Sequence, residues 1–368
     1  MNSDTPIILI GIGTAGSAMV RNVTRAFGQD LRHLLMDTDV VTGQYGDPFL
    51  LLGGDRLAGR GTGGDIVSGR LAAEDTMRKM DEFLEGVRLA VIVTALGGGT
   101  GGGATLETAK HLAEKGITSI VFATLPFSFE GEDRQRNARG IISMIEDCAN
   151  SVCLLPLDKL IGDTDKMDDA MQRAIDTMAI GITLFWRLVQ KPGYIRLDVE
   201  RLRHIIVNAG RCRFATVTVQ GQERANEAVN QLVRSETLAC STGSVGTIMC
   251  GVLAGEDLRL SELSTISNGI RTAFGEQRHF ELATVNDEAT FCGRMSIVIM
   301  LFESDTKDEG GEEATPSRGG VMGNRKKRTR KGQPDATRGR FKNSEPTIWN
   351  GENLDIPTFI RKSLTLDV

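Results

Sequence analysis

Residues 95–105 read ALGGGTGGGAT, and glycine occupies six of the seven positions from Gly97 to Gly103. Only Thr100 interrupts the run. Glycine loses more backbone entropy on folding than any other residue, so a run this dense opposes folding unless a bare backbone is needed. A bare backbone can approach phosphate oxygens that side chains would keep at a distance. The stretch therefore predicts a loop that binds phosphate through its N–H groups.

The sequence on either side of this run indicates a strand before it and a helix after it. Residues 88–95 are apolar and predict a buried strand, whereas residues 105–115 have a helical pattern. A second glycine-rich stretch, GIGTAG at 11–16, repeats the plan between an apolar strand at 7–10 and another helix. Strands that alternate with amphipathic helices predict an α/β fold, with a parallel sheet flanked by helices.

The two glycine-rich loops supply most of the predicted nucleotide-binding residues. In each loop a strand ends, the backbone turns and a helix N-terminus follows, which is an arrangement that binds anions. The set comprises Gly13, Thr14, Ala15, Gly16, Ser17, Ala18, Gly98, Gly99, Thr100, Gly101, Gly102 and Gly103. No lysine follows Gly103, so the second loop is not a Walker P-loop. Such a site must rely on backbone dipoles and a metal ion.

Changes of pattern divide the chain into five predicted segments. Residues 1–166 form a nucleotide-binding domain, and residues 167–190 form a long core helix. Residues 191–303 mix strands and helices less regularly, which predicts a smaller α+β second domain. Residues 304–347 contain almost no apolar side chains, so they are predicted to be a disordered linker. Residues 348–368 turn apolar again and predict a docking peptide at the end of that linker.

Composition excludes several classes of function. The chain has 368 residues and a formal net charge of −5, so bulk charge does not predict nucleic-acid binding. Its six cysteines form no C-x-x-C pair and its four histidines do not cluster with them, so we expect reduced thiols and no zinc site. No leader peptide or membrane-spanning run is evident, which predicts a cytoplasmic protein. The basic run at 325–331 is either solvated linker or a site of attraction to an acidic partner, nucleic acid or anionic lipid.

An NAD-dependent oxidoreductase is the alternative that the first loop allows. Gly11-x-Gly13-x-x-Gly16 matches the dinucleotide fingerprint, and Asp37 closes a strand about twenty residues later, where an NAD-binding acid would lie. That interpretation leaves the richer second loop unexplained. It also lacks a set of proton-transfer residues, because the four histidines lie in no recognisable catalytic context.

The run GGGTGGG at 97–103 resembles the signature of the tubulin/FtsZ family, which reads GGGTGTG in most FtsZ proteins. Further segments resemble FtsZ in the same order along the chain. They are RGTGGDIVSGRLAAED at 60–75, PFSFEGEDR at 126–134, AGEDLRLSELSTISNGIR at 254–271 and LDIPTFIRK at 354–362. Because these matches lie at both ends and in the middle of the chain, the sequence resembles a divergent member of the FtsZ family.

This resemblance implies a GTPase that binds GTP or GDP. Glu130 and Arg134 take the positions that contact the ribose in the family, and residues 60–75 take the place of the loop and helix that face the γ-phosphate. The resemblance implies no dedicated metal site; Mg²⁺ is held mainly through nucleotide phosphates and water.

The resemblance also implies assembly. Copies of the chain stack head to tail into filaments of the bacterial division ring, and one copy presents a loop to the nucleotide of the next, so hydrolysis depends on polymerisation. The tail implies docking of division proteins or membrane tethers. The predicted contact residues are Asp355, Ile356, Pro357, Phe359, Ile360 and Arg361.

The segment expected to carry catalysis departs from the family. FtsZ reads N-x-D-x-x-D after KPG, whereas this chain has Arg196, Asp198 and Arg201 at those positions. Asp198 and the neighbouring Glu200 are the predicted catalytic carboxylates, although Asp198 could equally cap a helix. An arginine in this segment could act as an arginine finger beside the γ-phosphate, or it could be an ordinary surface residue. An FtsZ-like scaffold with weak or absent hydrolysis is therefore the alternative function.

The residues expected to read guanine depart as well. Ala18 replaces a family asparagine, Leu157 replaces another, and Ile175 aligns with the family's Asn or Asp in the core helix. Asp176 could serve if the register shifts by one residue. A carboxylate or amide is what binds the N–H groups of guanine, so the sequence leaves strict guanine specificity open.

Overall fold

The computed structural model describes residues 6–27, 31–160, 166–190, 193–207, 209–239, 245–275, 279–304, 348–349 and 352–353. The chain divides into two compact units, Met1–Asp308 and Glu309–Val368. In the second unit, Ile348–Trp349 (β11) pairs antiparallel with Glu352–Asn353 (β12). The basic run and the predicted tail contacts from Asp355 to Arg361 lie outside the described residues.

The first unit is built on one mixed sheet of ten strands. The strands are β1 (Ile7–Ile12), β2 (His33–Asp37), β3 (Phe49–Leu51), β4 (Leu89–Ala95), β5 (Thr118–Leu125), β6 (Ser151–Pro156), β7 (Ala209–Gln220), β8 (Val245–Ala254), β9 (His279–Asn286) and β10 (Arg294–Ser304). Their order across the sheet is β3-β2-β1-β4-β5-β6-β7-β10-β8-β9. All neighbours are parallel except that β10 runs antiparallel to β7 and β8.

Helices connect the strands. The described α-helices are α1 (Gly13–Phe27), α2 (Gly54–Leu57), α3 (Ile66–Glu74), α4 (Met77–Met80), α5 (Gly99–Glu114), α6 (Glu132–Glu146), α7 (Met167–Gln190), α8 (Val199–Val207), α9 (Arg224–Val233), α10 (Leu260–Phe274) and α11 (Glu288–Phe291). Short 3-10 turns span Val40–Tyr45, Asp81–Phe83, Ser128–Glu130, Leu157–Leu160 and Glu236–Leu238. Within the described residues, no helix is both long enough and apolar enough to cross a membrane.

Both faces of the parallel strands are buried. In β4, Leu89, Val91 and Val93 belong to one apolar cluster, whereas Ala90 and Ile92 belong to the cluster on the other face. Successive side chains of a strand point to opposite faces, so a continuous apolar run buries both. The structure thus confirms the predicted α/β class, with a mostly parallel sheet flanked by helices.

Helix α7 crosses the middle of the unit and joins its two halves. Trp186 and Phe185 are fully buried and lie in the same cluster as residues of β1, β5 and β10. The predicted long helix at 167–190 is confirmed. Val152 and Cys153 of β6 pair with β7, so the strands of the two predicted domains continue in one sheet.

The predicted start of the helix after the glycine run was wrong. Helix α5 begins at Gly99, within the run, and not at residue 105. Glycine disfavours a helix by about 1 kcal/mol per residue, which is why the sequence indicated a loop. Close backbone contacts override that preference: a Cβ at Gly101 would lie 2.1 Å from the carbonyl oxygen of Ala95, and one at Gly103 would lie 2.4 Å from that of Ile66.

Candidate nucleotide site

A cavity of about 810 Å³ opens at the carboxyl ends of the central parallel strands. Ile12, Ala95 and Thr124, which lie at or near the ends of β1, β4 and β5, line it together with the loops that follow those strands. Ligands of open parallel sheets bind in this crevice. The volume is within the range of small-molecule sites, about 300–1,000 Å³, and suits a nucleotide.

The first glycine-rich loop is held by a buried carboxylate. Asp37 ends β2 and is only 2% exposed. Its Oδ2 accepts hydrogen bonds from the hydroxyls of Thr14 (3.0 Å) and Thr42 (2.7 Å), and its Oδ1 accepts one from the Thr38 N–H (2.8 Å). In the sequence analysis, Asp37 appeared only at the position of an NAD-binding acid, under the oxidoreductase alternative. The structure gives it a definite place, as the residue that organises the loop at the N-terminus of α1.

The second glycine-rich loop leads directly into the first turn of α5. Gly97 has a φ of 109°, a left-handed conformation that favours glycine, and Gly98 precedes the first helical residue. The Thr100 and Thr38 hydroxyls hydrogen-bond at 2.6 Å, which joins this loop to the end of β2. The first N–H groups of a helix lack partners within the helix, and its N-terminus carries a partial positive charge, so this turn suits an anion.

The backbone at Gly98 faces open space. A Cβ built there would meet no heavy atom within 4 Å, and the residue lines the cavity. An added side chain would therefore take up room that a ligand needs. This position fits a backbone cradle for phosphate, as predicted from the sequence.

The lining contains some of the predicted binding residues and omits others. Those that line the cavity are Gly13, Thr14, Ala15, Gly98, Gly99, Thr100, Gly101, Glu130, Arg134 and Ile175. Those that do not line it are Gly16, Ser17, Ala18, Gly102, Gly103 and Asp176.

Gly16 and Gly103 have a packing role. A Cβ at Gly16 would lie 2.3 Å from the carbonyl oxygen of Val93, so α1 could not approach β4. A Cβ at Gly103 would lie 2.5 Å from the Arg70 nitrogen, so α5 could not approach α3. Ser17 is fully buried beside Gly16. These contacts explain why Gly16 and Gly103 are glycines, and contact of their N–H groups with phosphate stays a prediction.

A third loop, residues 61–65, completes the wall of the cavity. Asp65 caps α3 by accepting hydrogen bonds from the Val67 and Ser68 N–H groups, at 3.1 and 3.0 Å. The hydroxyl of Ser68 and then these N–H groups lower the pKa of Asp65. The Asn137 amide donates to the carbonyl oxygens of Gly64 and Gly97, which ties α6 to two loops of the cavity. Sequence reasoning missed Asn137, because no local pattern marks it.

The predicted ribose-contact residues lie together at the rim. Arg134 donates from Nη1 to Oε2 of Glu130 one helical turn away, and both line the cavity. The other carboxylate oxygen of Glu130 accepts the Phe127 N–H at 2.8 Å. Glu130 is therefore fixed in place, whereas Arg134 is 60% exposed.

The end of the cavity expected to receive the base is apolar. Leu157 and Ile175 line it. Asp176 faces away: its Oδ1 accepts from the side chains of Gln172 (2.8 Å) and Asn22 (3.5 Å), which ties α7 to α1. The register shift that would bring Asp176 to the base is therefore absent from this structure.

The charge of the lining is strongly acidic. Five carboxylates line the cavity against a single guanidinium, that of Arg134; they are Asp37, Asp39, Asp65, Glu130 and Asp133. No group of three or more His, Cys, Asp or Glu side chains within the described ranges is arranged to hold a metal. Mg²⁺ keeps several waters and is commonly bound by one or two carboxylates plus phosphates. These residues fit a Mg²⁺ ion that arrives with a nucleotide.

The two predicted catalytic carboxylates lie at the opposite end of the sheet. The Arg203 Nε donates to the Thr118 hydroxyl at the start of β5, and Glu200 pairs with Arg88, just before β4. Helix α8 thus lies at the amino ends of these strands. A seven-residue strand is about 23 Å long, so α8 cannot reach the cavity of its own chain.

The carboxylates at this end already have partners. Oδ1 of Asp198 accepts the Arg201 N–H at 2.7 Å, which is the N-cap arrangement that the sequence allowed as an alternative. Glu200 forms ion pairs with Arg203 (2.7 Å) and Arg88 (3.1 Å). Arg201 pairs with Glu281 at 2.7 Å.

Comparison with known proteins agrees with this architecture. Residues 6–165 match the model of the tubulin/FtsZ family, GTPase domain. The chain is 28% identical over 290 residues to the cell division protein FtsZ of Pseudomonas putida, covering 77% of this chain and 73% of that protein. It is also 28% identical over 287 residues to FtsZ of Pseudomonas aeruginosa, covering 76% and 73%.

Solved structures share the fold. An FtsZ dimer from M. jannaschii superimposes with a TM-score of 0.76 at 21% identity, over 81% of this chain and 88% of that one. A GTPγS-bound protofilament of CetZ2 from Haloferax volcanii gives a TM-score of 0.69 at 19% identity, over 82% and 95%.

Proposed function

Because the chain is a divergent FtsZ-like member of the tubulin/FtsZ family, we propose that it binds and hydrolyses GTP and assembles head to tail into filaments of the bacterial division ring. The bound species are GTP and GDP, with Mg²⁺ on the phosphates. Residues 1–166 supply the binding domain, residues 167–190 the core helix and residues 191–303 the second domain.

The separation of the two half-sites carries this proposal. The nucleotide cavity lies at the carboxyl ends of the parallel strands, whereas Asp198 and Glu200 lie at their amino ends. From Ile175 at the cavity, α7 runs fifteen residues, or about 22 Å, away to Gln190. Only a second copy could bring this end to the cavity. A contact between opposite ends of identical chains does not close on itself, so it builds filaments.

Exposed apolar side chains at both ends support the same contact. Val41, two residues after Asp39 of the cavity lining, is 52% exposed. Phe129, in the loop after β5, is also exposed. At the other end, Tyr194 is 74% exposed and Ile195 is partly exposed. Exposed apolar side chains clustered around a site are typical of interaction surfaces.

Hydrolysis at such a shared site needs a positioned water and a stabilised phosphate. The N–H groups of the two glycine-rich loops hold the phosphates, and Glu130 and Arg134 hold the ribose. Asp198 or Glu200 of the next copy orients the attacking water. Bound GTP supplies the γ-phosphoryl group, and its Mg²⁺ offsets the charge of the phosphates. The apolar lining at Leu157 and Ile175 predicts weaker discrimination of guanine than a carboxylate would give.

A scaffold that binds nucleotide with little hydrolysis is the second candidate. This candidate is favoured because both carboxylates already have partners within the chain: Asp198 caps α8, and Glu200 is paired with two arginines. A carboxylate held in this way is less available to accept a proton from water.

We further propose that the chain acts in the cytoplasm at the division site. The tail contacts Asp355, Ile356, Pro357, Phe359, Ile360 and Arg361 would bind division proteins or membrane tethers. This part of the proposal rests on the sequence alone. Its test is co-sedimentation of assembled protein with a candidate tether, with and without residues 348–368.

The experiment that tests the central proposal combines two measurements on the same samples. Phosphate release from GTP with Mg²⁺ and light scattering are followed over a series of protein concentrations. Because the site is shared between copies, we expect both signals to appear above one threshold concentration.

The outcomes separate the candidates. Scattering without phosphate release would favour the scaffold. Phosphate release proportional to protein concentration, with no threshold, would contradict a shared site. Neither signal with GTP, but both with another nucleotide, would reassign the base specificity.

A further inference from the structure

The segment that leads into α8 presents one arginine from a rigid backbone. The Ile195 N–H donates to the Thr284 hydroxyl at 2.9 Å, and the Ile195 carbonyl accepts the Thr284 N–H at 2.8 Å. On the other side, Leu197 is buried to 3% exposure. Arg196 lies between these two anchors, and its side chain is exposed. The structure therefore fixes where Arg196 leaves the surface.

The other arginines at this end are already paired. Arg201 is held by Glu281, at 2.7 Å, and lies beside His279. Arg203 and Arg88 share Glu200. Within the described residues, the Arg196 side chain forms no ion pair or hydrogen bond. A guanidinium has five N–H donors in a planar fork, which suits phosphate oxygens.

Among the described residues that line the cavity at the opposite end of the chain, no guanidinium is unpaired. Five carboxylates line it, and the guanidinium of Arg134 is already paired with Glu130. A nucleoside triphosphate adds several more negative charges. Mg²⁺ offsets part of this charge, and a cation from outside the chain would offset more.

We propose that Arg196 enters the nucleotide cavity of the next copy and binds the β- and γ-phosphate oxygens there. This inference rests on the proposed head-to-tail assembly. Under this proposal Arg196 supplies positive charge to the phosphates, which the carboxylates Asp198 and Glu200 cannot do.

The chemistry gives this contact a catalytic consequence. In hydrolysis, the oxygen of water bonds to the γ-phosphorus and the bond from that phosphorus to the β,γ-bridging oxygen breaks. GDP and inorganic phosphate are released, and one proton passes to solvent. Negative charge grows on the bridging oxygen as its bond breaks. A guanidinium at that oxygen stabilises the transition state more than the ground state.

Single substitutions in the full chain test the proposal. We expect Arg196→Ala to reduce phosphate release per assembled copy by roughly 10²–10³-fold, the effect of losing one charge-stabilising donor. Arg196→Lys keeps the charge but loses the fork, so it should be intermediate. The matched control is Arg234→Ala, which removes an exposed arginine at the end of α9.

A second readout does not depend on turnover. A fluorescent non-hydrolysable GTP analogue is bound to assembled protein, and its release from the polymer is followed after dilution into excess GDP. We expect Arg196→Ala to speed this release by roughly tenfold or more, because a charged contact across the interface is lost. Release at the wild-type rate, together with wild-type turnover, would overturn the role of Arg196.

Mixing two variants tests whether the contact crosses between copies. Gly98→Val fills the cavity but keeps Arg196, whereas Arg196→Ala keeps the cavity. At a GTP concentration too low for Gly98→Val to bind, neither variant alone should turn over GTP appreciably. A mixture places the intact cavity of one against the intact Arg196 of the other, so turnover should return even if Arg196→Ala assembles poorly by itself.

The outcomes distinguish this inference from the proposed function. If the mixed copies associate without any return of turnover, Arg196 does not act across the interface. If Arg196→Ala matches wild type while wild type shows its concentration threshold, the shared site stands and Arg196 is not part of it. If wild type shows no threshold, the proposed function fails and this inference fails with it.

Discussion

Gly98 is the residue at which the phosphate cradle can be tested without disturbing the fold. Its backbone is extended, with φ −86° and ψ 160°, a conformation that valine adopts readily, and no heavy atom lies within 4 Å of an added Cβ. We expect Gly98→Val to weaken GTP binding roughly 10–100-fold, equivalent to an overpacking cost of about 1–3 kcal/mol in the bound state. The measurement is titration with nucleotide below the assembly threshold.

Gly140→Val is the matched control for this change. Gly140 is exposed on α6, and a Cβ there also meets nothing within 4 Å. The free energies of unfolding of the two variants should be within about 0.5 kcal/mol of the wild-type value, and only Gly98→Val should lose affinity for GTP. Unchanged binding by Gly98→Val would place the phosphates elsewhere.

Asp37 is expected to matter for stability as well as for the loop that it organises. Asp37→Ala would leave the Thr38 N–H and the hydroxyls of Thr14 and Thr42 without their buried acceptor. Each unsatisfied buried donor costs about 1–3 kcal/mol. Because the two hydroxyls can rotate to other partners, we expect the free energy of unfolding to fall by about 2–4 kcal/mol. Urea unfolding measures it. Asp133→Ala, at a carboxylate that is 90% exposed, should change stability by less than about 0.5 kcal/mol; equal losses would contradict this role for Asp37.

The sequence predicted that both glycine-rich loops bind phosphate, but it did not predict the packing contacts of each glycine. Gly98 and Gly103 look alike in the run, because both are glycines next to glycines. What separates them is the group opposite: open space for Gly98 and the backbone of α3 for Gly103. That group comes from a segment more than thirty residues earlier, so no local pattern could reveal it. Asn137 escaped notice for the same reason.

At the scale of elements, the close approach of α5 to α3 predicts opposite effects for two adjacent glycines. A Cβ at Gly103 would lie 2.4 Å from the Ile66 carbonyl oxygen, whereas one at Gly102 would first meet the Ile66 side chain at an ordinary 3.5 Å. We expect Gly103→Ala to cost about 1–3 kcal/mol through overpacking. Gly102→Ala should be neutral or stabilise by up to about 1 kcal/mol, because alanine favours the helix. Chemical unfolding compares the two, and equal destabilisation would refute the packing role.

The link between α9 and α10 is a partly buried ion cluster with a defined pH dependence. Arg224 is 4% exposed and binds Glu262 through two N–H groups, at 2.6 and 3.0 Å, and Asp257 at 2.8 Å. Breaking such a cluster from one side costs about 3–5 kcal/mol, so we expect a loss of this size for Arg224→Ala. Arg234→Ala, at an exposed arginine of the same helix, is the control.

The sign of the pH effect follows from Glu262. The hydrogen bonds from Arg224 lower the pKa of Glu262 in the folded chain. A lowered carboxyl pKa contributes stability that is present above the ordinary value, about 4.3, and is lost as pH falls through the folded value. The difference between wild type and Arg224→Ala should therefore be full at neutral pH and shrink below about pH 4. A difference independent of pH would show that lost packing, and not charge, explains the effect.

The sequence predicted whether a segment forms a strand or a helix more reliably than it predicted where that strand or helix begins and ends. The continuous apolar run of β4 predicted a strand buried on both faces, and the long pattern at 167–190 predicted α7. Both depend on local periodicity. The start of α5 at Gly99 does not, because helix propensity disfavours four glycines among the first five residues of a helix and only tertiary contacts reverse that preference.

At the scale of the whole molecule, the polarity of the sheet separates the cavity from the predicted catalytic carboxylates, and the proposed shared site rests on this separation. Parallel strands place all their carboxyl ends at one edge, where the cavity lies, and all their amino ends at the other, where α8 lies. The sequence predicted both half-sites. Their separation follows from the parallel direction of β1, β4 and β5, and the alternation of strands and helices predicted a parallel sheet without its strand order. The pairing of the carboxylates with arginines could not be predicted, because Arg88 lies more than a hundred residues before Glu200.

This polarity predicts a distinctive result when blocked copies are mixed. Val41→Glu places a charge two residues from Asp39 of the cavity lining, and Tyr194→Glu places one at the opposite end. Each side chain is more than half exposed, so each variant should fold. A charge introduced into an interface should raise the assembly threshold by roughly tenfold or more for either variant alone. Each variant still has one intact end, however, and the two intact ends are complementary. An equimolar mixture should therefore form a one-to-one dimer that grows no further, as measured by sedimentation velocity with GTP and Mg²⁺.

Val233→Glu, an exposed position on α9, should assemble like wild type. A mixture that stays monomeric would refute head-to-tail contact between these surfaces, because only a heterologous interface leaves one productive face on each variant.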